Sequence, residues 1–258
     1  MLTSAATILA LILVTWALSV AFRDASIVDP VWPLGFVAIA WTLRATVDSD
    51  SPTAWLLVAM VSVWGLRLSG YLAWRKHGAP EDYRYQAMRR RWGSRFWIIS
   101  LATVFGLQGV LMWVVSLPLQ LGLARPASSI GALAIIGALV WTIGFGFESI
   151  GDVQLARFKA DPANAGRVMD RGLWRYTRHP NYFGDACAWW GIALVAASTV
   201  VGSIGFVGSL VMTVLLLRIS GVALLERSLQ KRKAGWAEYA SRTSAFVPRP
   251  PRRLPDEM

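Results

Sequence analysis

The sequence predicts an all-α integral membrane protein, a bundle of about seven transmembrane helices with its amino terminus outside and its carboxyl terminus in the cytoplasm. Three observations carry that prediction. Of 258 residues, 55% are hydrophobic and only 16% charged, with a mean hydropathy of +0.46, which exceeds the apolar share of a soluble domain. The apolar residues gather into runs that approach the roughly 20 residues a hydrocarbon core demands of a helix. The cations lie between those runs: segments 23–29, 75–95, 153–184 and 226–258 hold 1, 7, 6 and 8 Lys or Arg, together 22 of the 26. Such a bias orients a chain with those segments on the cytoplasmic side.

Taken in order, the first run, 2–22, has no Lys or Arg before it and is read as a retained helix rather than a cleaved signal. The second, 30–46, begins at Pro30, a residue suited to a first helical turn. The third and fourth, 54–74 and 96–117, enclose a basic loop, 75–95, and the fifth spans 130–152. The sixth, 185–200, is the shortest, and Gly202, Gly205 and Gly208 suit a close hairpin with the seventh, 203–225. Together they make one membrane-embedded domain with cytoplasmic loops 75–95, 153–184 and 226–247. The closing 248-PRPPRRLPDEM-258 reads as a flexible tail.

The net charge of +11 is explained by topology and anionic headgroups, so no nucleic-acid partner is expected. One Cys and two His exclude an intrachain disulfide and point to no metal site. Membrane lipids are the expected surroundings, and a monomer is expected.

Ionisable residues within apolar runs are costly and usually face a bundle interior or a wet cavity. Arg67, Tyr71 and Arg75 in 67-RLSGYLAWR-75 recur every four residues and share one helix face. That face sets two cations beside a phenol, which suits Tyr71 to proton donation. The plainer reading has Arg75 snorkelling to headgroups and Arg67 paired with an acid. Glu148 and Asp152 in 144-GFGFESIGD-152 lie one turn apart. They either accept hydrogen bonds from ribose or amide groups, or pair with Arg67 or Arg218. Asp24 and Asp29 in 24-DASIVDPVW-32 either cap a helix, the reading that suits Asp29 before Pro30, or line the mouth of a cavity.

The densest polar stretch is 166-GRVMDRGLWRYTRHPNYFGD-185. Arg167, Arg171, Arg175 and Arg178 suit phosphate, and Trp174, Tyr176 and Tyr182 offer faces for a flat ring. Pro180 holds His179 extended, and Asn181 is placed to read an amide. A positive-inside loop with an aromatic belt would supply the arginines and aromatics, but gives no reason for Asn181 and Asp185. Farther on, Arg218 and Glu226 are eight residues apart on one helix face, either bracing one another or both contacting a ligand, and Arg227 follows.

The runs 172-GLWRYTRHPNYFGD-185 and 238-EYASRTSAFVPRPP-251 resemble the signature of bacterial members of the steroid 5α-reductase family, and the likeness extends over most of the chain. The resemblance implies a seven-helix bundle in the bacterial inner membrane that binds NADPH from the cytoplasm. It implies reduction of a carbon–carbon double bond conjugated to a ketone, most often in a 4-en-3-one steroid that enters from the bilayer. It further implies that Asn181 contacts the nicotinamide end and that Asp185 faces the cofactor. Asp152 and Arg167 would lie against the nucleotide, and Tyr71 would be the phenol near the substrate carbonyl. The sequence departs from animal members at Arg178-His179-Pro180 and at Glu148, where Asn is expected. For the acid that partners the phenol, Asp24 and Asp29 are the candidates.

The same reading places Glu148, Trp174, Tyr176, Arg178, His179, Tyr182, Arg218 and Glu226 around the cofactor, with the diphosphate and 2′-phosphate on Arg167, Arg171, Arg178 and Arg227. Sterol reductases share an Arg-His-x-Asn-Tyr-x-Gly-Asp run. Isoprenylcysteine and phospholipid methyltransferases share Arg-His-Pro-x-Tyr and bind S-adenosylmethionine, usually with a Glu-Glu pair on the last helix. Here that pair reads Leu225-Glu226, so the methyltransferase is the alternative.

Overall fold

In lipid every backbone N–H and C=O must be satisfied within its own segment, which leaves helices as the natural outcome for runs this apolar. The computed structural model describes residues 1–47, 50–219, 222, 226, 229, 230, 233 and 235–252. It is 80% helical. Among the described residues the strand-like pairing is an isolated parallel bridge between Thr177 and Ser244.

The helices are α1 (Leu2–Phe22), α2 (Val28–Thr46), α3 (Pro52–Lys76), α4 (Tyr83–Trp92), α5 (Phe96–Ser100), α6 (Leu107–Val115), α7 (Leu117–Ala124), α8 (Ala132–Ala160), α9 (Pro180–Ala196), α10 (Phe206–Val214) and α11 (Trp236–Arg242). Two π-helical stretches, Leu101–Gly106 and Leu215–Ile219, follow α5 and α10. Among the described residues six helical stretches are long and apolar enough to cross a bilayer: Leu2–Phe22, Ala25–Thr46, Pro52–Lys76, Tyr83–Val115, Ala132–Ala160 and Gly202–Ile219. The protein is a multi-pass, all-α membrane protein.

Local chemistry sets the ends. Arg23 closes α1 in the left-handed region at φ 53°, and Asp24 accepts from the Ser26 N–H to start the next turn. Ser51 caps α3, with Pro52 at its first position. Asp82 caps α4 by accepting from the Arg84 N–H. Asp29, expected as a cap, makes no capping bond: it lies inside the first turn of α2, whose boundary residue is Ile27. The cap role falls to Asp24 because a short turn, Ala25–Ile27, precedes α2.

The chain divides into two compact units. Unit 1 comprises residues 1–135 and 192–208, and unit 2 comprises 136–191 and 209–258. In unit 1, α2 and α3 pack closely at Gly65, where a methyl group would lie 2.6 Å from Val37 and 2.9 Å from the Pro33 carbonyl. Phe36 and Trp64 meet edge to face beside them, both fully buried. Gly202 turns against the Ala196 carbonyl, as a hairpin requires, but Gly205 and Gly208 press on Pro118 and Val115 at the α6–α7 junction. In unit 2, α8 and α9 approach through Gly144 and Gly184. A methyl group on Gly184 would lie 2.4 Å from the Glu148 amide nitrogen and 2.5 Å from the Gly144 carbonyl oxygen. That approach brings the polar residues of the two helices together.

Candidate functional site

In unit 2, α8 contributes Glu148 and Asp152, one turn apart and both buried, and α9 contributes Asn181 and Asp185. The Asn181 side-chain amide donates to Asp152 Oδ1 at 3.2 Å, and its oxygen accepts from the Tyr182 N–H at 3.1 Å. A carboxylate buried in an apolar bundle needs such donors. The sequence marks both partners, and the Gly144–Gly184 approach joins them.

Residues 172–179 fold over this pair. Trp174 is buried, donates through its indole N–H to the Gly151 carbonyl at 3.1 Å, and accepts at its own carbonyl from the Tyr239 hydroxyl at 2.6 Å. Burial raises the Tyr239 phenol well above its usual range. Arg178 and His179 converge on Glu226: Arg178 Nε and Nη2 donate to its two oxygens at 2.8 and 3.3 Å, and His179 Nε2 lies 3.1 Å from Oε1. Arg178 Nη1 also donates to the Ala240 carbonyl at 2.6 Å. Burial alone would raise the Glu226 carboxyl, but the His179 hydrogen bond and the Arg178 charge hold it below its ordinary value. The ring of His179 stacks on Tyr182, with centroids 5.5 Å apart.

The carboxyl-terminal segment straps onto the same loop. The Arg178 N–H donates to the Ser244 carbonyl, Thr177 Oγ1 to Phe246, and the Arg249 N–H to Tyr176. Of the tail expected from residue 248 onward, Arg249 is held by that bond and Arg252 by an N–H donated to the Arg242 carbonyl.

Beside this core lies a cavity of about 530 Å³ walled by Phe158, Arg167, Asp170, Arg171, Tyr239 and Arg242, among others. Arg242 reaches Asp170 at 3.2 Å and Glu238 at 3.6 Å. Asp170, Tyr239 and Arg242 had no sequence assignment, although Tyr239 and Arg242 stand within the second family-like run. Arg242 is thus engaged by carboxylates, whereas Arg167 and Arg171, which line the same cavity, suit a phosphorylated ligand. Arg178, expected among the phosphate ligands, is engaged by Glu226 instead. Arg218 does not pair with Glu226; it sits exposed in the π-helical stretch Leu215–Ile219. Tyr176 is exposed. Arg227 lies outside the described residues.

In unit 1, Tyr71 is flanked by the two cations its spacing implied. The guanidinium carbons of Arg67 and Arg75 lie 5.8 and 5.7 Å from its ring centroid. The acids expected near it have other partners. Asp24 pairs with Lys76 at 2.8 Å; burial pushes its carboxyl up, but hydrogen bonds from Lys76 and Ser26 outweigh this and hold it low. Asp29 accepts from the buried Tyr85 hydroxyl at 2.9 Å and from Arg84 at 3.2 Å. Gln108 approaches the same hydroxyl at 3.4 Å. Asp29 also lines a cavity of about 160 Å³ with Ser26, Arg75, Lys76 and Asp82, the alternative read for it in the sequence. The Tyr85–Asp29 pair was missed because Tyr85 falls in a stretch read as loop, where the Asp82 cap is the available signal for α4.

Among the described residues no group of three or more His, Cys, Asp or Glu could hold a metal ion. A family profile described as a protein of unknown function, DUF1295, matches residues 15–243, and that family includes steroid 5α-reductase-like proteins. An uncharacterized protein of Schizosaccharomyces pombe is 26% identical over 214 residues, covering 71% of this chain and 61% of the yeast protein. The chain thus spans less than two thirds of that relative's length. No solved structure matches it.

Proposed function

The chain belongs to the DUF1295 family, and from that premise we propose that it is an NADPH-dependent membrane reductase acting on the carbon–carbon double bond of a lipophilic enone, with 4-en-3-one steroids as the first substrate class to test. The observation that carries this reading is the cavity of unit 2, whose arginine wall is joined through Tyr239 and Trp174 to the α8 backbone beside the Asn181–Asp152 pair. Its volume of about 530 Å³ falls in the range of small-molecule sites. Arg167 and Arg171 would hold the phosphates, and Asn181, with Asp152 and Asp185, the amide end. The finer arrangement follows the cation bias: seven passes, amino terminus outside, and the cofactor reached from the cytoplasm of a bacterial inner membrane.

When bound, NADPH supplies the hydride that the β carbon of the enone receives. The protein positions the substrate carbonyl and stabilises negative charge as it develops on the oxygen. Tyr71 donates a hydrogen bond to that oxygen. The resulting enolate would take a proton from solvent at its α carbon, which completes the reduction. Tyr85, on Asp29, is a second phenol in unit 1, and the pair Tyr71→Phe and Tyr85→Phe separates the two. Loss of turnover in the first with unchanged NADPH affinity supports Tyr71, and loss in the second alone transfers the role to Tyr85.

Thermal unfolding of the detergent-purified protein with NADPH, NADH or S-adenosylmethionine tests the cofactor directly, since a ligand of the native state raises its stability. Stabilisation by NADPH, followed by NADPH oxidation on addition of a 4-en-3-one steroid, is the expected result. Stabilisation by S-adenosylmethionine alone would replace the reductase with a methyltransferase.

A further inference from the structure

The polar end of unit 1 has four carboxylates, and each is matched. Asp24 takes Lys76, Asp29 and Asp82 share Arg84, and Glu81 holds Arg89 through two hydrogen bonds of 2.9 and 3.0 Å. The next cations along α4, Arg90 and Arg91, and Arg95 beyond it carry no ion pair among the described residues. All six residues of 90-RRWGSR-95 are exposed. Gly93 adopts φ 53°, a region glycine enters without strain, and so turns the chain between Arg91 and Arg95.

Directly after this turn the surface becomes apolar. Trp97 and Ile98 are exposed at the head of the long run that ends at Val115. Trp97 is tied to α1 by the Trp16 indole, which donates to the Trp97 carbonyl at 2.8 Å, and Trp92 lies under the Arg91 guanidinium at 5.3 Å. Tryptophan in such a place marks the headgroup level of a bilayer. Three guanidiniums with no ion pair among the described residues therefore stand next to the start of an apolar, tryptophan-bearing run.

We infer that Arg90, Arg91 and Arg95, with Trp92 and Trp97, form a seat for the phosphate of an anionic phospholipid. Guanidinium matches phosphate in charge and in fork geometry, the indoles meet the glycerol and upper acyl region, and the carboxylates that would compete are already engaged by Lys76, Arg84 and Arg89. This inference is independent of the reductase reading and stands or falls without a cofactor.

The test is thermal unfolding of the full-length protein in detergent, titrated with phosphatidylglycerol, phosphatidylcholine or inorganic phosphate. Wild type is compared with Arg90→Gln/Arg91→Gln/Arg95→Gln and with the corresponding triple Lys variant. Wild type should be half-stabilised at a phosphatidylglycerol concentration on the order of 100-fold below that of phosphatidylcholine. The preference should shrink at least about tenfold in the Gln variant, survive in large part in the Lys variant, and weaken with salt. Equal action of the two lipids overturns the seat. So does a full preference in the Gln variant. Stabilisation by inorganic phosphate at the same concentrations would show a free-phosphate site in place of a lipid one. Should the Gln variant not fold, the salt dependence and the Lys variant decide: a salt-insensitive preference in wild type refutes the proposal.

Discussion

The two units carry polar clusters built on opposite plans. At the polar end of unit 1, Asp24, Asp29, Glu81 and Asp82 are each matched to a cation within 3.2 Å, and the charges fasten α4 to the start of α2 and the end of α3 to the turn before α2. In unit 2, the Asn181 amide donates to Asp152, Glu148 and Asp185 are buried among glycine-packed helices, and Arg167 and Arg171 line a cavity. Charges that neutralise one another hold a loop in place and have little left for a ligand. Under the function proposed above, the arginine-lined cavity beside the Asn181–Asp152 pair is where an arriving molecule would be held. Unit 2 also has closed clusters, Arg242 with Asp170 and Glu238, and Glu226 with Arg178 and His179, so its two plans can be separated by mutation.

The largest effect is expected at that clamp. Glu226→Ala should destabilise the protein by about 3–5 kcal/mol, because it leaves the largely buried Arg178 without its carboxylate. Urea or thermal unfolding would measure it, and a change below about 1 kcal/mol would show the clamp to be incidental. The same group sets a pH dependence. Its folded pKa lies below the ordinary 4.5, so its contribution is complete above that value and is lost as pH falls through the folded pKa. Wild type should therefore lose stability below pH 4.5 relative to Glu226→Gln, and parallel curves for the two proteins would refute the assignment.

Next in size is Gly184→Ala. Its methyl group would meet three backbone atoms of α8, at a cost of about 2–3 kcal/mol, whereas Gly146→Ala on the same helix pair meets open space and should be neutral or stabilising by up to about 1 kcal/mol. Equal melting temperatures for the two variants would deny the close approach that assembles the site.

A smaller effect, on binding alone, is expected of Arg171→Ala. NADPH affinity should fall about tenfold with stability unchanged, since the lost contact is a charge-assisted hydrogen bond. Calorimetric titration showing full affinity would move the phosphates elsewhere. Smallest is Tyr85→Phe, which removes one hydrogen bond to Asp29 and should cost about 1 kcal/mol, because Arg84 still compensates the carboxylate. A much larger loss would mean that the paired network of unit 1 is more cooperative than its contacts suggest.

The segments that were hardest to read in sequence are those whose structure depends on distant partners. Phe22, Thr46 and Lys76 end helices close to where hydropathy alone ends them, but α8 continues to Ala160 and α9 begins at Pro180, so six of the eight residues of RHPNYFGD are helical. Hydropathy measures transfer into lipid and is blind to a helix that projects beyond it. Arg178 looked like a phosphate ligand because a guanidinium is one wherever no carboxylate reaches it first. Glu226, 48 residues away, does so. Asp29 looked like a cap because Pro30 follows it, yet its carboxylate turns to Tyr85 and Arg84.

The sequence by itself determined that this chain crosses a membrane several times as helices, since apolar run length and backbone hydrogen bonding leave lipid-embedded chain no other outcome. It also marked polar residues whose burial needs a reason: Glu148, Asp152, His179 and Asp185. Only the tertiary structure decided which charges are spent on one another and which face a cavity. Pairing is a property of distances between residues far apart in the chain, and those distances are set by where glycines let helices touch.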